Sequence, residues 1–165
     1  MGNISSRCGP PTSPVAVTRA RPAFAFVTGS PVVQVHAAGY GTDVAPIRAR
    51  DNLILTLAFA AGSVGTITYV AAGSPKLPKE RLEAFSGART GILDDYLALE
   101  LLGPSGRERK KLRTQDKGHR AEIQAFVDGV RRGEPPVPLA EIENVHRATF
   151  AAVESLRTGH AVTVA

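Results

Sequence analysis

The chain has 165 residues, enough for one domain with a buried core, and its 43% hydrophobic and 21% charged content is ordinary for a globular protein. No apolar run approaches the roughly 20 residues that span a bilayer, and the one cysteine, Cys8, excludes an internal disulfide. The net charge of +5 is local: "RERKKLR" (Arg107 to Arg113) holds five positive residues and one negative, hence +4, and the rest of the chain supplies only +1.

The start, "MGNISSRC", lacks the apolar core of a secretory signal. It matches the short Met-Gly-x-x-x-Ser/Thr acylation pattern, with Cys8 placed for a second lipid. The Ala- and Arg-rich usage is bacterial in character, where this lipidation is not expected. The match is therefore read as accidental and the chain as cytoplasmic, without a membrane partner.

Residues 1–22 carry Pro10, Pro11, Pro14 and Pro22 with no steady apolar period, and are expected to be a poorly ordered lead-in to a domain over residues 23–165. "AFAFVTGSP" reads as a helix end stopped by Gly29 and Pro31. Val33, Val35 and Ala37 then alternate with Gln34 and His36, the period of a strand, which makes His36 a strand-face residue rather than a ligand. Leu53, Leu55, Leu57 and Phe59 share one face of the next run, with Ile54, Thr56 and Ala58 on the other. In "SVGTITYV", Val64, Thr66, Thr68 and Val70 alternate with Ile67 and Tyr69. Both runs favour strands. Gly62 and Gly65 sit at the join between them. A dinucleotide loop needs a third glycine and a following helix; a strand follows here, so the join is a hairpin corner.

Residues 81–87 and 90–103 continue the strands, with turns at Gly87–Arg89 and Asp94–Asp95. "GPSG" (103–106) turns into the basic strand, which places Arg107, Arg109, Lys111 and Arg113 on one face. A basic stripe can bind phosphates, but charge on an edge strand also blocks unwanted pairing. No aromatic residue is interleaved for base stacking. A solvated strand face is the expectation, and a basic nucleic-acid-binding protein stays open as an alternative. From Gly118, the residues His119, Ile123, Phe126 and Val130 follow the helical period, ended by Gly133 and Pro135–Pro136. A second helix from about Leu139 places Ile142, Val145, Thr149, Ala152, Val153 and Leu156 on one face, with Gly159 as its cap. "AVTV" (161–164) reads as a closing strand. The sum is an α+β fold: a largely antiparallel open sheet of about six or seven strands, with two C-terminal helices packed on one face. Two helices cannot cover every apolar strand face, so self-association through the uncovered sheet face is expected.

No catalytic constellation stands out. His36, His119, His146 and His160 lack metal-motif spacing, and Cys8 has no recognisable base. Ser63 and Ser86 lack a nucleophile-elbow context. Asp94 and Asp95 read as turn formers, and His119 with Glu122 as a structural helix pair. No catalytic, cofactor-binding or metal-ligating residue is assigned.

"PKERLEAFSGARTGILDDYLALELL", "QDKGHRAEIQAFVDGVRRGEPPVPL" and "ATFAAVESLRTGHAVTV", in this order, resemble the C-terminal domain of the Gfo/Idh/MocA oxidoreductases, in the bi-domain or inositol-dehydrogenase-like branch. The resemblance covers about residues 24 to 164. It implies a two-domain enzyme in which an N-terminal Rossmann domain binds NAD or NADP. The C-terminal sheet forms the substrate side and much of the oligomer contact. The sequence contains no GxGxxG after a strand, and the family's Glu-Lys-Pro motif with its catalytic lysine is missing. The family's Asp-x-x-x-His precedes an F-x-x-G-S-P segment; "AFVTGSP" matches the latter, but the stretch before it has neither Asp nor His. No catalytic histidine is carried over. A truncated gene, a shifted frame or a mistaken start would each give this pattern. The implied function is the substrate-side and oligomerisation part of a sugar or polyol dehydrogenase, inactive alone and binding no cofactor. A scaffold module pairing with a separate Rossmann subunit is the other alternative.

Overall fold

The computed structural model describes residues 26–39, 52–71, 73–74, 76–78 and 80–165. The expected lead-in over residues 1–22, and Cys8 with it, lies outside the described residues. In chain order the elements are β1 (Val32–Gly39), β2 (Asn52–Phe59), β3 (Val64–Val70), β4 (Arg81–Ser86), β5 (Arg89–Asp94), β6 (Ala98–Gly103), β7 (Gly106–Lys111), α1 (His119–Arg132), α2 (Leu139–Thr158) and β8 (Val162–Thr163). The class is α+β with antiparallel pairing throughout, as the alternating runs predict. The strands divide into two four-stranded sheets, β3-β2-β1-β8 and β4-β5-β6-β7. They belong to two compact units, one formed by Met1–Ala72 with Leu139–Ala165 and the other by Gly73–Pro138.

In the first unit, the period-2 pattern of β2 turns Leu53, Leu55, Leu57 and Phe59 into the core, joined by Val35 and Ala37 of β1 and Ile67 of β3. The helix α2 covers this face with Ala148, Ala151 and Ala152, small residues that let its backbone approach the leucines. Val145 is buried on the same helix. Two polar side chains fix helix to strand. Asn144 accepts the Val32 N–H on Oδ1 and donates from Nδ2 to the Val32 carbonyl, both at 2.9 Å. Ser155, fully buried, accepts the Ala37 N–H at 2.8 Å and donates its hydroxyl to the His160 carbonyl at 2.6 Å.

The join of β2 and β3 is a hairpin corner. The Phe59 N–H donates to Ser63 O at 3.0 Å, and the Gly62 N–H returns to Phe59 O at 2.9 Å. Gly62 has φ 86°, a left-handed conformation that a side chain would strain. Gly65 already lies in the ladder, opposite Leu57.

The second unit is a meander of hairpins. The β5–β6 turn holds Asp95 and Tyr96 at φ 47° and 54°, and the Leu97 N–H closes it onto Asp94 O at 2.9 Å. Asp95 thus forms a turn, as its sequence context predicts. The basic strand β7 lies at the sheet edge, every residue exposed. Helix α1 ends at Gly133, and its Gly129 meets the returning chain: an added Cβ would lie 2.6 Å from the Glu134 carbonyl oxygen. Its apolar stripe has the expected period, yet Ile123, Phe126 and Val130 are exposed. In the first unit, by contrast, Val145, Thr149 and Ala152 of the α2 stripe are buried, although Ile142 is exposed.

Replacing Ser155 with Ala strands the Ala37 N–H and the His160 carbonyl. An unsatisfied buried group costs about 1–3 kcal/mol, so Ser155→Ala lowers the unfolding free energy by about that much and the urea midpoint falls with it. An unchanged midpoint would show that these bonds contribute nothing.

Candidate functional site

Gly29, at φ 59°, ends the helical turn of residues 26–28 and throws the chain into the Ser30–Pro31 corner. The β2–β3 hairpin is tied to this corner: the Ala61 N–H donates to Ser30 Oγ and the Ala60 N–H to Pro31 O, both at 3.0 Å. The Thr28 hydroxyl donates to Ser30 O at 3.3 Å. Across from it stands the first turn of α2, and between them lies a cavity of about 260 Å³ lined by Gly29, Ser30, Pro31, Ala140, Glu141 and Asn144. The corner coincides with "TGSP", part of the "AFVTGSP" stretch that matches the F-x-x-G-S-P segment. Its hydroxyl, carboxylate and amide can hold hydroxyl groups of a small ligand. No His, Lys or Cys lies in the lining, and the Ser30 hydroxyl oxygen is engaged by the Ala61 N–H.

The second unit has a larger and open depression of about 710 Å³, with Ser86, Arg89, Ser105, Arg107 and Glu108 in its wall. Arg107 is already paired: its Nε lies 2.5 Å from Glu100 Oε1, and its Nη2 donates to Oε2 at 2.9 Å. The cross-strand partner of Arg109 is the same Glu100. Part of the basic stripe is thus balanced within its own sheet, as a solvated edge requires.

The structure does not bring the sequence's polar candidates together. His36 is exposed on β1 opposite Thr56. His119 Nδ1 lies 3.8 Å from Glu122 Oε2 with both side chains exposed, the structural helix pair expected. His146 Nδ1 lies 2.7 Å from the Ile142 carbonyl, which its N–H donates to. His160 meets Ser155 through its main-chain carbonyl only. Ser63 belongs to the hairpin corner and Ser86 ends β4. Among the described residues no three His, Cys, Asp or Glu side chains form a metal-binding group. A perturbed acid occurs at Glu154, where a hydrogen bond from the Arg157 guanidinium lowers the carboxyl below its ordinary value and raises Arg157 in turn. Both are exposed on one helix, three residues apart, which is ion-pair geometry rather than an active site.

A dinucleotide pyrophosphate is held by backbone N–H groups of a Gly-rich turn at a helix N-terminus. At the start of α1, Asp116 Oδ1 takes the Gly118 N–H at 2.9 Å, and Glu122 lies in the first turn. At the start of α2, Glu141 lies in the first turn. The glycine pair is spent in the hairpin, Gly62 on Phe59 O and Gly65 in the ladder. Sequence reasoning missed Asn144 and Ser155 as structural anchors. The available signal was two polar residues three helical turns apart beside the largely apolar stripe of α2.

No protein-family model matches the sequence, and no curated protein matches it. Solved structures do match in fold. An oxidoreductase from Agrobacterium radiobacter, crystallised with NAD+, L-tartaric acid and magnesium, is 19% identical with a TM-score of 0.74, over 91% of this chain and 48% of that one. A UDP-N-acetylglucosamine 3-dehydrogenase from Acidithiobacillus ferrooxidans is 17% identical with a TM-score of 0.69, over 85% and 45%. An aldose-aldose oxidoreductase from Caulobacter crescentus, in complex with glycerol, is 19% identical with a TM-score of 0.68, over 88% and 45%. The chain spans about half the length of these structures. Its fold is shared with about half of each of these oxidoreductase chains. Among the described residues no helix is long and apolar enough to cross a membrane.

Proposed function

We propose that this chain is the substrate-side and assembly part of an NAD(P)-dependent sugar or polyol oxidoreductase, with no hydride transfer of its own. The observation that carries the reading is the fold match over most of this chain to half of each oxidoreductase. The Gly29–Pro31 corner is the substrate-facing part, where Ser30 and Glu141 offer hydrogen bonds to a polyol. Titration with myo-inositol, followed by amide NMR shifts, is expected to move residues 29–31 and 140–144 saturably. Shifts elsewhere, or none, would remove the substrate-side assignment.

The cofactor belongs to a separate domain. Calorimetric titration with NADH and NADPH at physiological salt is expected to show no saturable binding in the micromolar range. The weak, salt-screened contacts of exposed arginines do not replace an amide-lined helix N-terminus. Tight binding of either nucleotide would overturn this. The exposed Ile123, Phe126 and Val130 of α1 favour a second reading, a scaffold that docks a separate Rossmann subunit. Nucleic-acid binding through β7 would instead appear as affinity falling steeply with salt.

Assembly is the other half of the proposal. The first sheet's face away from α2 carries exposed Ile54, Val64 and Val70, interleaved in register with Gln34, His36, Thr56, Thr66 and Thr68. Self-association through this sheet is expected, and light scattering at tens of micromolar should find more than the 17.4 kDa of a monomer. A clean monomer would count against it.

A further inference from the structure

The chain between β7 and α1 is tied to a single turn of the second unit. The Leu112 N–H donates to the Leu97 carbonyl at 2.8 Å, and the Asp116 N–H to the Tyr96 carbonyl at 3.2 Å. Gln115 Nε2 reaches Asp95 twice, its main-chain oxygen at 2.8 Å and its Oδ1 at 2.9 Å. These bonds all end on the consecutive residues Asp95, Tyr96 and Leu97. The strap then passes straight into the helix. Asp116 Oδ1 accepts the Gly118 N–H at 2.9 Å, and the Gly118 carbonyl accepts the Glu122 N–H at 2.9 Å. Within the second unit no strand packs broadly against α1. The strap is therefore what places the helix against its own sheet.

The turn that carries the strap is itself in a costly conformation. Asp95 and Tyr96 hold both central positions of the Asp94–Leu97 turn, at φ 47° and 54°. A hairpin turn of this hand ordinarily has glycine second, because the left-handed region crowds a Cβ against the following carbonyl. Aspartate tolerates that region; a bulky residue stays there only when its surroundings hold it. Here the surroundings are the Glu80 carbonyl, which takes the Asp95 N–H at 2.6 Å, and the strap.

We propose that Leu112–Gly118 is a latch on a strained turn, whose release frees α1 as an arm while the sheet stays intact. In the latched state the strap holds Tyr96 left-handed, and α1 presents its exposed Ile123, Phe126 and Val130 at one fixed angle. In the released state Tyr96 relaxes to ordinary backbone angles, the Asp116 N–H and the Gln115 amide turn to water, and the stripe of α1 loses its fixed angle. The strain of Tyr96 drives release and the strap bonds oppose it.

The test compares the full chain with its Tyr96→Gly and Gln115→Ala variants by amide hydrogen exchange read by NMR. Tyr96→Gly removes the crowding that drives release, so protection of the Leu112 and Asp116 amides is expected to rise about fivefold. Gln115→Ala removes both side-chain bonds to Asp95, so protection of the same amides is expected to fall about fivefold. The amides of β5 and β6 should keep their protection in both variants, and circular dichroism should show α1 still helical. Nitrogen relaxation of Gln115→Ala should find α1 moving more freely than β4–β7. Unchanged or lower protection in Tyr96→Gly would overturn the stored strain, since a plain structural loop gains nothing from glycine there. Unchanged or higher protection in Gln115→Ala would overturn the latch. A change shared equally by the strap, β5 and β6 would show that the strap opens only with the whole unit, and would overturn the arm.

Discussion

The first unit depends on how the outer side of β1 is satisfied. A strand beside β2 needs partners for its other row of N–H and C=O groups, and β8 supplies them only at Gln34 and Val35. Beyond that short reach the chain uses other donors and acceptors. The Val164 N–H takes the Val33 carbonyl at 2.8 Å. Asn144 takes both groups of Val32, and the Ser155 hydroxyl takes the Ala37 N–H. The spacing is matched. Asn144 and Ser155 are about 16 Å apart along a helix rising 1.5 Å per residue, and Val32 and Ala37 are about 16 Å apart along a strand. The two anchors therefore hold α2 alongside β1 in one register, and that register is what lays Ala148, Ala151 and Ala152 over Leu55 and Leu57. Apolar packing alone tolerates a helix sliding by a turn; side-chain bonds at two fixed positions do not.

The element pattern was legible because burial writes its period into the sequence. The leucines of β2 announce their face, Asp94–Asp95 marks the β5–β6 turn, and Gly133 with Pro135–Pro136 ends α1. The "AAGS" corner was readable as a hairpin because a strand, not a helix, follows it. What alternation cannot encode is partnership. A strand with one apolar face reads the same whether its neighbour is β2 or β5, so the division into two sheets is a tertiary fact. The α1 stripe illustrates the same limit: its period predicts a helix correctly, while Ile123, Phe126 and Val130 remain exposed. Amphipathicity shows that a face seeks a partner, not which partner or whether it lies in the described residues. The site was least legible of all. Ser30 and Glu141 become neighbours of one cavity only because β1 and α2, over a hundred residues apart, are pinned together.

That separation also orders the fold in sequence. The second unit is inserted between β3 and α2, and its strands pair only with their immediate successors through short turns. The first unit closes through contacts between its first strand and the last quarter of the chain. Local pairings form fast and distant ones wait on loop closure. The β2–β3 hairpin and the β4–β7 meander thus need only local pairing, whereas the outer partners of β1 come from the last quarter of the chain. The apolar face of β2 is covered by α2, and the polar anchors make that docking specific. The cavity at this corner is assembled by the same contacts, because Gly29–Pro31 comes from before β1 and Glu141 from the start of α2. Binding at the corner is thus coupled to closure of the first unit's core: a ligand that bridges Ser30 and Glu141 stabilises only the closed state, and so stabilises the first unit by mass action without touching the β4–β7 meander.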